Sequence, residues 1–149
     1  MADEEKIFDL HQAQQLLPKV EGLLAAARQH KLAVEALDQE FSQVHQRILL
    51  QGGLVPPYAE LAEKRFARDA LVEKIRDTVT RIEQHGCLVK DLDVGLVDFP
   101  TLRDNETVYL CWKLGEERIG YWHRIHEGFA GRKPLASGES GRPRSGKPN

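Results

Sequence analysis

The sequence predicts an α+β protein: a long antiparallel helical hairpin of coiled-coil type, followed by a small antiparallel β module packed against the N-terminal segment of the first helix. Three observations predict it. Apolar residues recur at alternating three- and four-residue steps as far as Ile82, glycine and proline interrupt that stretch between Gly52 and Pro57, and from Cys87 onward the pattern shortens to strand-like alternation rich in aromatic residues.

The first helix is expected over 9–51. Ala13, Leu16, Val20, Leu23, Ala27, His30, Val34, Leu37, Phe41, Val44 and Ile48 form the seam of a left-handed coiled coil, with His30 its one polar member, a register device facing Arg76 and Asp77. Asp9 is placed to cap the helix, with Gln12 completing a capping-box pattern, and Gly52 and Gly53 end it. Pro18 has no N–H for the carbonyl of Gln14, so a bend near Pro18, or a split after the first two turns, is expected.

The second helix is expected over 57–85, launched by Pro56 and Pro57 and stopped by Gly86. Its later half carries Val72, Ile75, Val79 and Ile82; its earlier half offers Leu61, Ala62, Phe66 and Ala70. The short link turns the helices back on each other and pairs Phe41 with Phe66, Leu37 with Ala70 and Ala27 with Val79. At roughly 1.5 Å per residue the first helix reaches about 64 Å and the second about 43 Å. The surplus, the stretch before Leu24, is expected to fold over the β module and cover one of its faces.

The β module spans 87–135 and reads as three or four short strands. A tight hairpin at Leu114-Gly115-Glu116-Glu117 would join 107–113 to 118–125. That register sets Ile119 opposite Trp112, Tyr121 opposite Leu110 and His123 opposite Val108 on one side, with Gly120 opposite Cys111 and Trp122 opposite Tyr109 on the other. Aromatic rings on both sides predict two covered faces, one under the helices and the other against a second copy of the chain. Residues 1–135 are read as a single domain. Residues 136–149, rich in Gly, Ser and Pro, are read as a disordered tail in which Arg142, Arg144 and Lys147 form a weak basic tag.

Composition narrows the function. With 21 basic and 23 acidic residues and a net charge of -2, no nucleic-acid partner is expected. No apolar run approaches the roughly 20 residues that cross a bilayer, and the acidic amino terminus is unlike a secretory signal, so no membrane partner and a cytoplasmic location are expected. Cys87 and Cys111, too few for a disulfide framework, are expected as reduced thiols.

Chemistry is sought where six of the ten aromatic residues fall, between Phe99 and Phe129. His123, Asp98, Glu116 and His126, with Glu127 or Cys111 beside them, supply donors for a divalent transition metal, provided the chain turns near Ile125 to bring the two histidines together. The structural alternative makes His123 a ribbon histidine bonded to a carboxylate and His126 a loop residue. Asp98, Glu116, His123 and Arg132 form a second candidate, a small-ligand or proton-transfer site, set against a structural ion pair that ties Asp98 to the GFAGR loop. Cys111 reads as a small buried apolar residue, and no GxSxG, P-loop or dinucleotide fingerprint is present.

The words GLVDFP, VYLCWKLGE, YWH and GFAGRKPL between Gly95 and Leu135, with LHQAQQLLPKV near the amino terminus, resemble a bacterial family of uncharacterised proteins, domain of unknown function twenty-two-oh-three. The resemblance implies a small bacterial cytoplasmic protein and transfers no catalytic role. It places Asp98, Cys111, Trp112, Glu116, Trp122, His123 and Arg132 in the most recognisable motifs. The leading expectation is a non-enzymatic, homodimeric structural or interaction protein; the alternative is a metal- or small-ligand-binding protein, or a modest enzyme, with its site in the β module.

Overall fold

The computed structural model describes residues 6–52 and 55–135, so the expected tail at 136–149, with Arg142, Arg144 and Lys147, lies outside the described residues. Helix α1 runs from Leu10 to Gln51, 42 residues without a break. The capping box forms as its chemistry requires: Gln12 N–H donates to the Asp9 carboxylate at 2.8 Å, and Asp9 N–H donates to the Gln12 side-chain carbonyl at 2.9 Å. Pro18 sits inside α1 on its exposed side and does not split it. Burial of Leu17 and Val20 on either side holds the turn across the missing hydrogen bond.

Helix α2, Tyr58–Glu83, packs antiparallel along α1. Its later half faces α1 with Ile75, Val79 and Ile82 as the spacing predicts, but its earlier half does not. Phe66 is 78 % exposed, and Ala62 and Ala70 are exposed as well. Carrying the phase of Ile75 and Ile82 back in steps of four and three lands on Leu71, Arg68, Lys64 and Leu61, and these are the partly buried positions. The two cations find carboxylates on α1: Lys64 donates to Glu40 and Arg68 to Asp38, both at 2.6 Å. Charge pairs hold seam positions where apolar side chains were expected, which turns Phe66 outward.

With 42 residues in α1 against 26 in α2, α1 overshoots its partner by about 24 Å at roughly 1.5 Å per residue. The surplus turns cover the sheet. Phe8, Ala13, Leu17, Val20 and Leu24 share one core with Val97, Phe99, Val108, Leu110, Trp112, Ile119 and Trp122, and Ile82 and Cys87 close it from the end of α2. Phe8 meets Phe99 edge to face at 5.4 Å, and two hydrogen bonds fix the layers: Phe8 N–H to the Pro100 carbonyl at 2.8 Å and Ile119 N–H to the Gln14 side chain at 3.1 Å. Among the described residues no helix is long and apolar enough to cross a membrane.

The sheet is an antiparallel meander of five strands in sequence order: β1 Leu88–Asp91, β2 Leu96–Arg103, β3 Glu106–Lys113, β4 Tyr121–Arg124 and β5 Lys133–Pro134. The fifth, two residues long, follows a 3₁₀ turn at Phe129–Gly131 and extends the expected three or four. Strands β2 and β3 are joined by Asp104 and Asn105, whose φ values of 52° and 64° make the two-residue turn that suits the twist of a hairpin. Gly95, at φ 76°, opens β2 where a Cβ would stand 2.5 Å from that of Leu114, so only glycine fits.

The β3–β4 connection differs from the expected tight turn. Residues 114–120 separate the strands. Glu116 folds back over β3: the Trp112 indole donates to its carbonyl and Lys113 N–H to its carboxylate, both at 3.0 Å. The register is Tyr109 with His123, Leu110 with Trp122 and Cys111 with Tyr121, one residue from the expected pairing. A slip of one exchanges the faces of a strand. Trp122 thereby joins Leu110 and Trp112 under α1, and His123 moves to the opposite face.

Candidate functional site

That opposite face carries the chemistry. Strand β2 contributes Asp98, β3 Cys111 and β4 His123, with Asp98 the register partner of Cys111 and His123 that of Tyr109. Asp98 and His123 lie on the two strands flanking β3, whose axes are about 9–10 Å apart at two strand spacings and which place them two residues out of step along β3, and their side chains meet over β3 beside Cys111. One ligand atom from each of the three residues lies within 4.8 Å of the others. All three are buried, Asp98 at 1 %, Cys111 at 0 % and His123 at 3 % exposure. The cover comes from the chain itself: Lys90 spans the Tyr109 ring at 4.7 Å, and the Arg132 guanidinium stacks on Tyr121 at 3.8 Å and Phe129 at 4.3 Å.

Hydrogen-bond directions define the protons. His123 Nδ1 stands 2.8 Å from the Arg124 carbonyl, which only accepts, so Nδ1 carries a hydrogen. Nε2 stands 3.1 Å from both Asp98 oxygens. A hydrogen lies between ring and carboxyl, donated from one side or the other. Burial pushes the Asp98 carboxyl above its ordinary range, although His123, Lys90 and the Cys111 S–H all favour its charged form. Burial and then the Asp98 charge push the Cys111 thiol up to about 12, with Arg132 opposing. At neutral pH Cys111 is a thiol and not a nucleophile.

Glu116 and Arg132 border this cluster instead of entering it. The guanidinium meets the carboxylate through both nitrogens, Nη1 to Oε1 at 3.2 Å and Nη2 to Oε2, and Nη1 also lies 3.9 Å from Cys111 Sγ. Burial works against the Arg132 charge, but Glu116 and Cys111 more than offset it and hold the guanidinium above its usual range. The four residues expected as one ligand site are thus two pairs joined through Cys111. The GFAGR loop delivers Arg132 to Glu116. His126 is exposed in the turn after β4, outside the cluster, so the donors that come together are Asp98 and His123 with Cys111, one of the two residues named beside them, while Glu116 and His126 stay outside. Glu127 bonds Lys133 at 2.7 Å and Arg124 N–H at 2.8 Å; Lys133 first, then that backbone bond, holds its carboxyl down to about 2.

A groove of about 300 Å³ at the start of α1, lined by Lys6, Phe8, Gln12, Gln15, Leu16 and His85, includes none of these residues. Asp98, Cys111 and His123 form the one group of three or more metal-type donors among the described residues. An isolated cysteine on a strand carries no spacing signal, so the sequence alone does not set Cys111 above the other donors. The turn at Asp104-Asn105 carries the signal for it, since equal steps outward from that turn pair Asp98 with Cys111.

No curated protein and no solved structure matches the chain. A family model described as Uncharacterized conserved protein (DUF2203) matches residues 6–135, the span that holds both helices, the whole sheet and the buried cluster, and the chain therefore belongs to that family.

Proposed function

We propose that this chain is a non-enzymatic interaction module that forms a homodimer through the distal half of its helical hairpin. The carrying observation is the thin core of that arm. Beyond Ala27, α1 buries only Val34 and Val44, and α2 buries nothing before Thr78. Large apolar side chains meanwhile face water, Leu49, Leu50, Val55 and Tyr58 near the tip and Phe66 about two turns further along α2. A two-helix arm completes its core by gaining a third layer, and two such arms together make a four-helix bundle.

A second copy fits this surface better than an unlike partner. Lys64 and Arg68 are already neutralised by Glu40 and Asp38 in the same chain, so the arm has little field with which to select an oppositely charged protein. An apolar patch that matches itself across a twofold axis closes into a dimer without leaving a free end. The free, buried thiols of Cys87 and Cys111 fit a reducing, cytoplasmic setting.

Sedimentation equilibrium across a hundredfold concentration range tests the reading. The unaltered chain should show the mass of a dimer, and Leu50→Glu combined with Phe66→Glu should give a monomer that melts cooperatively. A monomer at every concentration, or a dimer indifferent to both substitutions, rejects the proposal.

A further inference from the structure

We propose that Asp98, Cys111 and His123 form a binding site for one divalent transition metal ion of borderline softness, with zinc the best match. This site is independent of how the helical arm associates.

The donor set is the first argument. A thiolate, an imidazole nitrogen and a carboxylate oxygen together favour zinc, cobalt or iron(II) over magnesium or calcium, which take oxygen alone. The second is orientation. The Nδ1–H of His123 is anchored on the Arg124 carbonyl at 2.8 Å, the outer contact that fixes tautomer and ring angle in metal-bound histidines, and it aims Nε2 at the other two donors. Third, the size is right. Bonds of about 2.0–2.3 Å around a tetrahedral zinc place ligand atoms roughly 3.3–3.6 Å apart; here Nε2 lies 3.1 Å from both Asp98 oxygens and all three donors fall within 4.8 Å, so small side-chain rotations suffice.

Charge supplies the fourth argument. On binding, the S–H bond of Cys111 breaks, the hydrogen between Nε2 and Asp98 is displaced, the released protons pass to solvent, and bonds form from the ion to Sγ, Nε2 and a carboxylate oxygen. One divalent cation then balances one thiolate and one carboxylate. The flanking cations are unchanged, Arg132 held by Glu116 and Lys90 3.9 Å from Asp98 Oδ2. Three protein donors leave a fourth position for water or an added ligand.

The test uses the full chain, purified without an affinity tag, stripped of metal and titrated with Co(II). One equivalent should bind with a thiolate-to-cobalt charge-transfer band that Zn(II) abolishes. Calorimetry in buffers of different ionisation enthalpy should report proton release on binding. Cys111→Ser should lose the band and Cys87→Ser should keep it. X-ray absorption of the loaded, unaltered chain should show one sulfur among nitrogen and oxygen neighbours, a reading that needs no variant to fold. Absence of stoichiometric cobalt, an environment without sulfur, or a band that survives Cys111→Ser overturns the proposal.

Discussion

His123 Nε2 stands 3.1 Å from both carboxylate oxygens of Asp98, across the strand that carries Cys111. The two groups are buried together, so each compensates the other's desolvation. Removing one partner leaves a buried polar group without its counterpart, and His123→Ala should lower unfolding free energy by about 3–5 kcal/mol. Adding Asp98→Ala should cost much less than a second such loss. A urea-melt double-mutant cycle reads this, and additive losses would show the pair to be uncoupled.

Two carboxyls give stability opposite slopes against pH. Glu127 is held down to about 2 from an ordinary 4.5, chiefly by Lys133, so its contribution is present above 4.5 and is lost as pH falls toward 2. Asp98 is raised from 3.8, so the folded state keeps its proton longer than the unfolded chain, and its contribution declines as pH rises from 3.8 through the folded value. Melting temperatures of Glu127→Gln should approach those of the parent near pH 2, and Asp98→Asn should flatten the decline above 3.8. Parallel curves would contradict both assignments.

Both thiols should be inert in the folded protein. Burial pushes Cys87 and Cys111 each up to about 12, and Cys87 donates its S–H to the Ile82 carbonyl at 3.4 Å. A disulfide reagent at pH 8 should label neither until the chain unfolds, at the unfolding rate. Fast labelling of Cys111 without unfolding would reveal an open route to the buried cluster.

Pro18 occupies an exposed, interior position of α1 and removes one helical hydrogen bond. Pro18→Ala should restore that bond and raise stability by about 1–3 kcal/mol, measured by denaturant melts. A loss would mean that the proline sets a helix path required for packing Leu17 and Val20.

The helices were legible because packing imposes a period on the chain. The α1 seam, the Asp9–Gln12 cap and the cover over the β module all follow from spacing and relative length. The phase of early α2 did not, because Lys64 and Arg68 occupy seam positions and their partners on α1 are visible only in three dimensions. In the sheet, a glycine beside two glutamates looked like a tight turn, whereas Glu116 spends its backbone and carboxylate on β3 and lengthens the loop. That one-residue difference set His123 opposite Val108, on the face away from Cys111, although Asp98 and His123 already stood together among the candidates. The Asp104-Asn105 turn was readable and would have paired Asp98 with Cys111 directly.

One unbroken α1 serves two partners, the sheet along its opening turns and α2 along the rest. Cutting the arm free would bare Leu17, Val20 and Leu24 to water, and cutting the sheet free would bare Phe99, Leu110 and Trp112. The change of period near Cys87 is a border in the written chain that the packed core straddles.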